Sequence, residues 1–389
     1  MLYLLNRGVI TIILLFQVII ASAYELEDVQ IHGFIGQGYV YTSGDGERDD
    51  DFLGGSTDLF EAGINYSFSS KNWFSTGQLV SRDIGEVPVN EEKLALDFLV
   101  LGGRLITSSS LDMQVRLGKI KTPFDNLDML DIPTARDYIV EGLSRINFDL
   151  RSVGAVLDLL WYSGFGSFDV NVGYLRQQVD GKRALKLSDT VDYISHRAGF
   201  NPLLRVRWNS PGEMFNIAYS RRVYDFDYSL SEDNPEGLVK LTLNVPHDIY
   251  QSLSFAVFWG GSKLQFKRSH IDYNQYYEIR AMQNDFLFFA GNDKGSFDGY
   301  NLSYRYDFSQ GFSINAALDY GKYKGESGLA MPMLGCYTKI VLAGIDYYIG
   351  SGWTLRSNFS HSKSNVNEII DPQLGSSVNM FAAEIIYSF

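Results

Sequence analysis

The chain has 389 residues, 45% hydrophobic and 14% aromatic, with a formal net charge of −13. That acidity argues against nucleic acid as a partner, because phosphate binding needs a basic footprint. A single cysteine, Cys336, excludes an intramolecular disulfide.

At the N-terminus, Arg7 precedes an apolar run from Val9 to Ile20 that is interrupted only by Thr11 and Gln17, and Ala21-Ser22-Ala23 follows. The run is shorter than the ~20 residues a spanning helix needs. A basic residue, an apolar stretch and a small-x-small site together read as a signal peptide over 1–23, removed before Tyr24. Residues 24–389 are then expected to form one unit, a transmembrane antiparallel β-barrel.

Beyond residue 23 no apolar stretch is long enough for a transmembrane helix, and period-two segments of about ten residues dominate. In chain order they fall at 29–42, 57–68, 73–82, 93–105, 110–119, 150–161, 167–177, 201–209, 213–225, 250–260, 262–275, 298–308, 311–323, 337–349, 352–363 and 378–389. The count is sixteen, an even number, as a single-chain barrel with both ends on one side requires. Connections alternate between short turns, such as Gly260-Gly261 and Gly350-Ser351, and long loops at 43–56, 120–149, 178–200, 226–249, 276–297, 324–336 and 364–377. Trp73, Trp161, Trp208, Trp259 and Trp353 all lie beside short turns, which marks that rim as a membrane–water interface. Residues 238–245 look strand-like but would break the alternation, so they are expected to be structure within an external loop. The chain ends on Phe389 after a run of alternation, like the insertion signal of outer-membrane proteins.

Apolar positions must face lipid, and this sets the phase of each strand. With Phe215, Ile217, Tyr219, Leu302, Tyr304, Tyr306, Trp353, Leu355 and Phe359 outward, the inward set contains Asn216, Ser220, Arg222, Asn301, Arg305, Asp307, Arg356 and Asn358. The same rule turns Asp97, Gln114, Arg116, Asp158, Asp169, Asn171, Arg205, Arg207, Gln265, Lys267, Asp319 and Glu384 toward the lumen. So polar an interior implies a water-filled channel. Its opposite charges fit either ion pairs that stiffen the wall or a field that guides a charged solute.

Loop 120–149 is the third long loop and carries Lys121, Asp125, Asp128, Asp131, Arg136, Asp137, Glu141 and Arg145, with Pro123 and Pro133. The run from Arg116 through Gly118, Lys119 and Pro123-Phe124, followed by Ala135-Arg136-Asp137, resembles the strand-five and loop-three signature of the phosphate-selective porin (OprP/OprO-like) superfamily. About thirty residues match. Asp125 departs from the family's Gly, and no run of loop arginines for phosphate is present. The resemblance implies a porin, trimeric, whose third loop folds inward and narrows the pore; it does not carry phosphate selectivity across. Candidate constriction and solute-contact residues are Arg116, Lys121, Arg136, Arg145, Arg205, Arg207, Arg222, Arg305 and Arg356; a loop-anchoring pair is the alternative for Arg136-Asp137.

Asp45, Glu47, Asp49, Asp50 and Asp51 form an acidic first loop whose spacing lacks the full pattern of a Ca²⁺ site, so Asp45, Glu47, Asp49 and Asp51 are only a weak candidate set. No Walker loop, zinc motif or Gly-x-Gly-x-x-Gly fingerprint calls for a cofactor. The five histidines, His32, His196, His247, His270 and His361, form no catalytic motif. The expectation is therefore a non-enzymatic diffusion channel of the bacterial outer membrane for small polar or charged solutes, in contact with lipid and lipopolysaccharide. The competing readings are a surface adhesin or structural anchor and a loop-borne hydrolase.

Overall fold

The computed structural model describes residues 28–44, 54–84, 95–122, 151–177, 191–234, 237–281, 286–308, 311–327, 337–365 and 377–389. Expectations that fall on 1–23, Asp45–Asp51, Arg136, Arg145 and Cys336 lie outside those residues. Apart from a short 3-10 turn at Pro211–Glu213, the elements described are strands.

The chain runs through β1 (Asp28–Gly44), β2 (Gly54–Ser69), β3 (Trp73–Ile84), β4 (Ala95–Thr107), β5 (Leu111–Lys121), β6 (Arg151–Ser163), β7 (Gly166–Gln177), β8 (Val191–Ala198) and β9 (Phe200–Asn209). It continues through β10 (Phe215–Asn234), β11 (Gly237–Trp259), β12 (Ser262–Ala281), β13 (Phe286–Phe308), β14 (Phe312–Ser327), β15 (Tyr337–Gly350), β16 (Trp353–Ser364) and β17 (Ser377–Ser388). Each strand pairs antiparallel with its neighbour in sequence, and β8 and β9 are one strand interrupted at Gly199, both pairing with β10. Seventeen segments therefore make sixteen crossings. The sheet closes where β1 meets β17, from Phe34 opposite Ser388 to Gly44 opposite Val378. Phe389 and Gly33 exchange two backbone hydrogen bonds across this seam, at 2.8 and 2.9 Å. Closure pairs the first described strand with the last, so neither is left as an open edge there.

Two patterns in the sequence drive this architecture. Two-residue turns demand positive φ, and Gly260 and Gly261 supply it at φ 50° and 82° between Trp259 and its partner Ser262. Alternation then sends large apolar side chains outward on every wall: Ile217, Leu253, Leu302, Leu318, Leu355 and Phe359 are all exposed. An apolar surface this continuous is built for hydrocarbon rather than water. One rim is aromatic, with Trp73 against Phe68, Trp161 against Phe168, Trp259 near Tyr304 and Trp353 against Tyr387. At the other rim Tyr174 stacks on Phe200 and Tyr300 on Tyr320. From Tyr300 to Phe308 a strand climbs roughly 27 Å at ~3.4 Å per residue, which suits a tilted crossing of a bilayer core.

Three expected loops need correction. Residues 226–249 and 276–297 are largely strand, because β10 to β13 run 20 to 23 residues each and carry the ladder well past the apolar band. Residues 191–198, expected within a loop, pair with the upper part of β10 from Phe226 to Glu232. Residues 238–245 add no crossing: they are the upper part of β11, hydrogen-bonded to β10 and β12. Above the membrane neither face has to be apolar, so the alternation that marks a strand fades while backbone pairing continues.

Candidate functional site: the inner wall of the barrel

The inward phase places a polar residue row on nearly every strand. Arg116, Asp158, Asn171, Arg205, Asn216, Ser220, Arg222, Gln265, Lys267, Asp319, Arg356, Asn358 and Glu384 are buried on that side, as the alternation predicts. Asp97 is also buried, at a bulge where the register against Gln78 and Leu79 shifts.

Two charge networks lie on opposite walls. On β5 to β9, the Arg116 guanidinium grips Asp158 with both arms, Nε to Oδ2 at 2.5 Å and Nη2 to Oδ1 at 2.6 Å. Asp158 also accepts from Asn171 at 2.7 Å and Gln114 at 3.3 Å. Asn171 in turn accepts from Arg205 at 3.0 Å, and Arg207 pairs with Asp169 at 2.8 Å. Every member projects inward from an adjacent strand, so the chain of contacts staples four strands together. On β13 to β16, Asp346 accepts from Arg305 at 3.1 Å and from Arg356 at 2.9 Å, while Arg305 also holds Asp307 at 2.8 Å and Ser313 at 2.9 Å. Nearby, Asn301 donates to Asp319 at 2.6 Å. Five of the predicted arginines thus have carboxylate partners in the wall itself: Arg116, Arg205, Arg207, Arg305 and Arg356. Asp346 was not singled out from sequence, although Val341, Ala343, Ile345 and Tyr347 outward leave it inward on β15. Glu61 and Gln78 were missed in the same way.

Arg222 differs. From β10 it reaches past β9 and β7 to donate to Thr122 Oγ1 at 2.8 Å and Ser152 Oγ at 2.6 Å, at the end of β5 and the start of β6. Its guanidinium lies 4.7 Å from the Tyr224 ring. It forms no carboxylate pair among the described residues, and its Nε is buried without a hydrogen-bond partner among them. Beside it, Phe98, Val100, Ile120, Val156, Leu175, Leu203, Tyr224 and Tyr250 form a buried apolar cluster on the inward face of β4 to β11. Lys121 is buried at the same corner, at the mouth of the long connection after β5. Hydrogen bonds and apolar packing together fill one side of the lumen there.

The fold and its inner wall define a closed, sixteen-stranded antiparallel barrel with a polar interior. No protein-family model matches the chain, and no curated protein matches it by sequence. Among solved structures it is similar to OmpT, an outer membrane protein of Vibrio cholerae, at TM-score 0.56 and 11% identity over 93% of this chain and 97% of that one. A trimer form of that protein matches at TM-score 0.51. The outer membrane channel DcaP of Acinetobacter baumannii aligns at TM-score 0.54 and 9% identity, over 93% and 97% of the two chains. An anion-selective porin from Comamonas acidovorans aligns at TM-score 0.51 and 12% identity, over 93% and 99%. At such identities the shared property is the fold.

Proposed function

We propose that the protein is an outer-membrane porin, a passive diffusion channel for small polar or charged solutes, exported through a cleaved segment at residues 1–23 and assembled as a homotrimer. The observation that carries this reading is the polar inner face, strand after strand, inside an apolar outer one. A barrel serving only as an anchor has no need of a hydrated wall. The inward cluster around Ile120 and the Arg222 bridge to Thr122 and Ser152 support a constriction at segment 120–149, with Lys121 and Arg222 on its wall and Arg136 and Arg145 in the segment itself. Arg116, Arg205, Arg207, Arg305 and Arg356 contribute a polar track whose charge is balanced locally, whereas Arg222, buried against Thr122 and Ser152, acts on passing ions through its charge behind the wall rather than by contact. The fold shared with a channel and an anion-selective porin agrees with this.

Single-channel recording in planar bilayers tests it. Stepwise openings, grouped in threes, are expected, with a reversal potential under a salt gradient that shifts toward cations when Arg222 becomes Met. A silent bilayer with a folded, heat-modifiable barrel would overturn the channel reading in favour of adhesion or anchoring.

A further inference from the structure

The outer face of β12 to β15 carries side chains that a simple lipid-facing wall does not need. Its register stacks them in rows. Phe266, Leu302, Leu318 and Val341 lie side by side across the four strands. Two residues further from the tryptophan rim, the next row is Arg268, Tyr300, Tyr320 and Lys339. Above that come His270, Asp298, Lys322 and Tyr337, and then Asp272, Ser296 and Lys324. A strip of hydrocarbon thus gives way to tyrosines flanked by cations, and then to charge.

The details are those of a prepared site. Between the first two rows lies an open groove of about 420 Å³, lined by Phe266, Tyr300, Leu302, Leu318, Tyr320 and Val341, with Lys339 at its edge. The two tyrosines stack with centroids 6.3 Å apart. Arg268 sits 6.0 Å from the Tyr300 ring, and Lys339 lies 6.0 Å from Tyr320 and 5.1 Å from Tyr337. Asp298 is the buried hub: it takes Lys324 at 2.8 Å, His270 at 2.9 Å and Arg268 at 3.4 Å, and so holds the cations in place. His270 also meets Asp272 at 3.1 Å. Arg268, Lys322, Lys324 and Lys339 face Asp298 and Asp272 here, in a chain that is acidic overall. Arg268 and Lys324 remain more than half exposed while touching Asp298. Cations that lie over aromatic rings at a membrane interface keep their charge in the polar layer and their stems on apolar surface.

We infer that this face binds a phosphorylated lipid of the surrounding outer leaflet, with an acyl chain in the groove and phosphate groups at two places, Arg268 with Lys324 on one side and Lys339 on the other. Charge complementarity selects this occupant: basic side chains beside an apolar groove are what an anionic amphiphile requires. The inference rests on the barrel being an outer-membrane protein but not on its conducting. The four-strand juxtaposition supplies both halves of an amphiphile's requirement, an apolar groove and, one row further along, basic side chains.

Native mass spectrometry of the full-length barrel in detergent, titrated with diphosphoryl lipid A or with phosphatidylethanolamine, tests it directly. Lipid A is expected to be retained in preference to the zwitterionic lipid. Arg268→Gln combined with Lys339→Gln is expected to weaken retention by about tenfold or more, since each basic residue near an anionic surface contributes measurably. Leu318→Trp, which fills the groove and leaves every cation, is expected to weaken it as well. Equal retention of the two lipids, indifference to both variants, or full competition by inorganic phosphate would overturn the inference. So would dissociation of an oligomer by Leu318→Trp with lipid retention unchanged, which would identify the face as a subunit contact. Conductance recorded on the same preparations keeps the two readings apart, because a silent barrel that still retains lipid A refutes the channel and leaves this site standing.

Discussion

Asp158 on the inner wall and Asp298 on the outer face are both buried carboxylates that hold basic side chains, yet they do opposite things with charge. Asp158 receives one guanidinium in a two-pronged grip with Arg116, itself almost fully buried, and its remaining acceptor capacity goes to amides. The group is neutralised and closed. Asp298 is shared among Arg268, Lys324 and His270, whose outer ends stay in contact with solvent, and the cluster as a whole keeps surplus positive charge. The same residue chemistry stiffens a wall in one place and advertises a charge in the other; the difference lies in stoichiometry and exposure.

Mutations can break this contrast. The largest effect is expected from Asp158→Ala, which leaves the Arg116 guanidinium buried without its carboxylate; losing one partner of a buried pair costs about 3–5 kcal/mol. The urea midpoint of the purified barrel should fall accordingly, and replacing Arg116 by Met in the same chain should recover much of the loss. Arg222→Met comes next. It removes two hydrogen bonds to hydroxyls, roughly 1–3 kcal/mol with a charged donor, and it loosens the filled corner, so unit conductance should rise as anion preference falls. Unchanged conductance would argue that the corner does not border the solute path. Asp298→Asn should alter stability least, by under about 1 kcal/mol, because its ion pairs are largely solvent-exposed on the cationic side. It should instead increase retention of diphosphoryl lipid A several-fold. Raising salt from about 0.05 to 0.5 M should weaken that retention while leaving the Asp158 network's contribution nearly intact, since screening acts on exposed charges far more than on buried ones.

Much of this was legible in the sequence. The count of crossings, the side on which the turns are short, and the inward placement of Arg116, Arg222, Arg305 and Arg356 all follow from alternation, because lipid enforces apolar residues on one face only. What alternation could not show has a physical reason. Strand ends above the bilayer are under no such constraint, so the upper parts of β10 to β13 and the β8 segment read as loop. Which inward charges meet depends on shear between neighbouring strands: Arg116 lies opposite Val156 in the ladder, yet its side chain pairs with Asp158, two residues along. The Arg222 bridge joins residues 100 apart in sequence and was invisible for the same reason. The outer cluster was hidden differently. Arg268, Lys322 and Lys339 look like interruptions of an apolar face until the register sets them beside tyrosines.

The seam between β1 and β17 has a consequence for how such a molecule comes into being. β1 is the partner of β17, and eleven residue pairs from Phe34 to Gly44 wait on Val378 to Ser388. No partial product can complete the cylinder, and a chain stopped before residue 377 carries two open sheet edges, each a template for mispairing. Closing the cylinder therefore waits until both ends of the sheet are present.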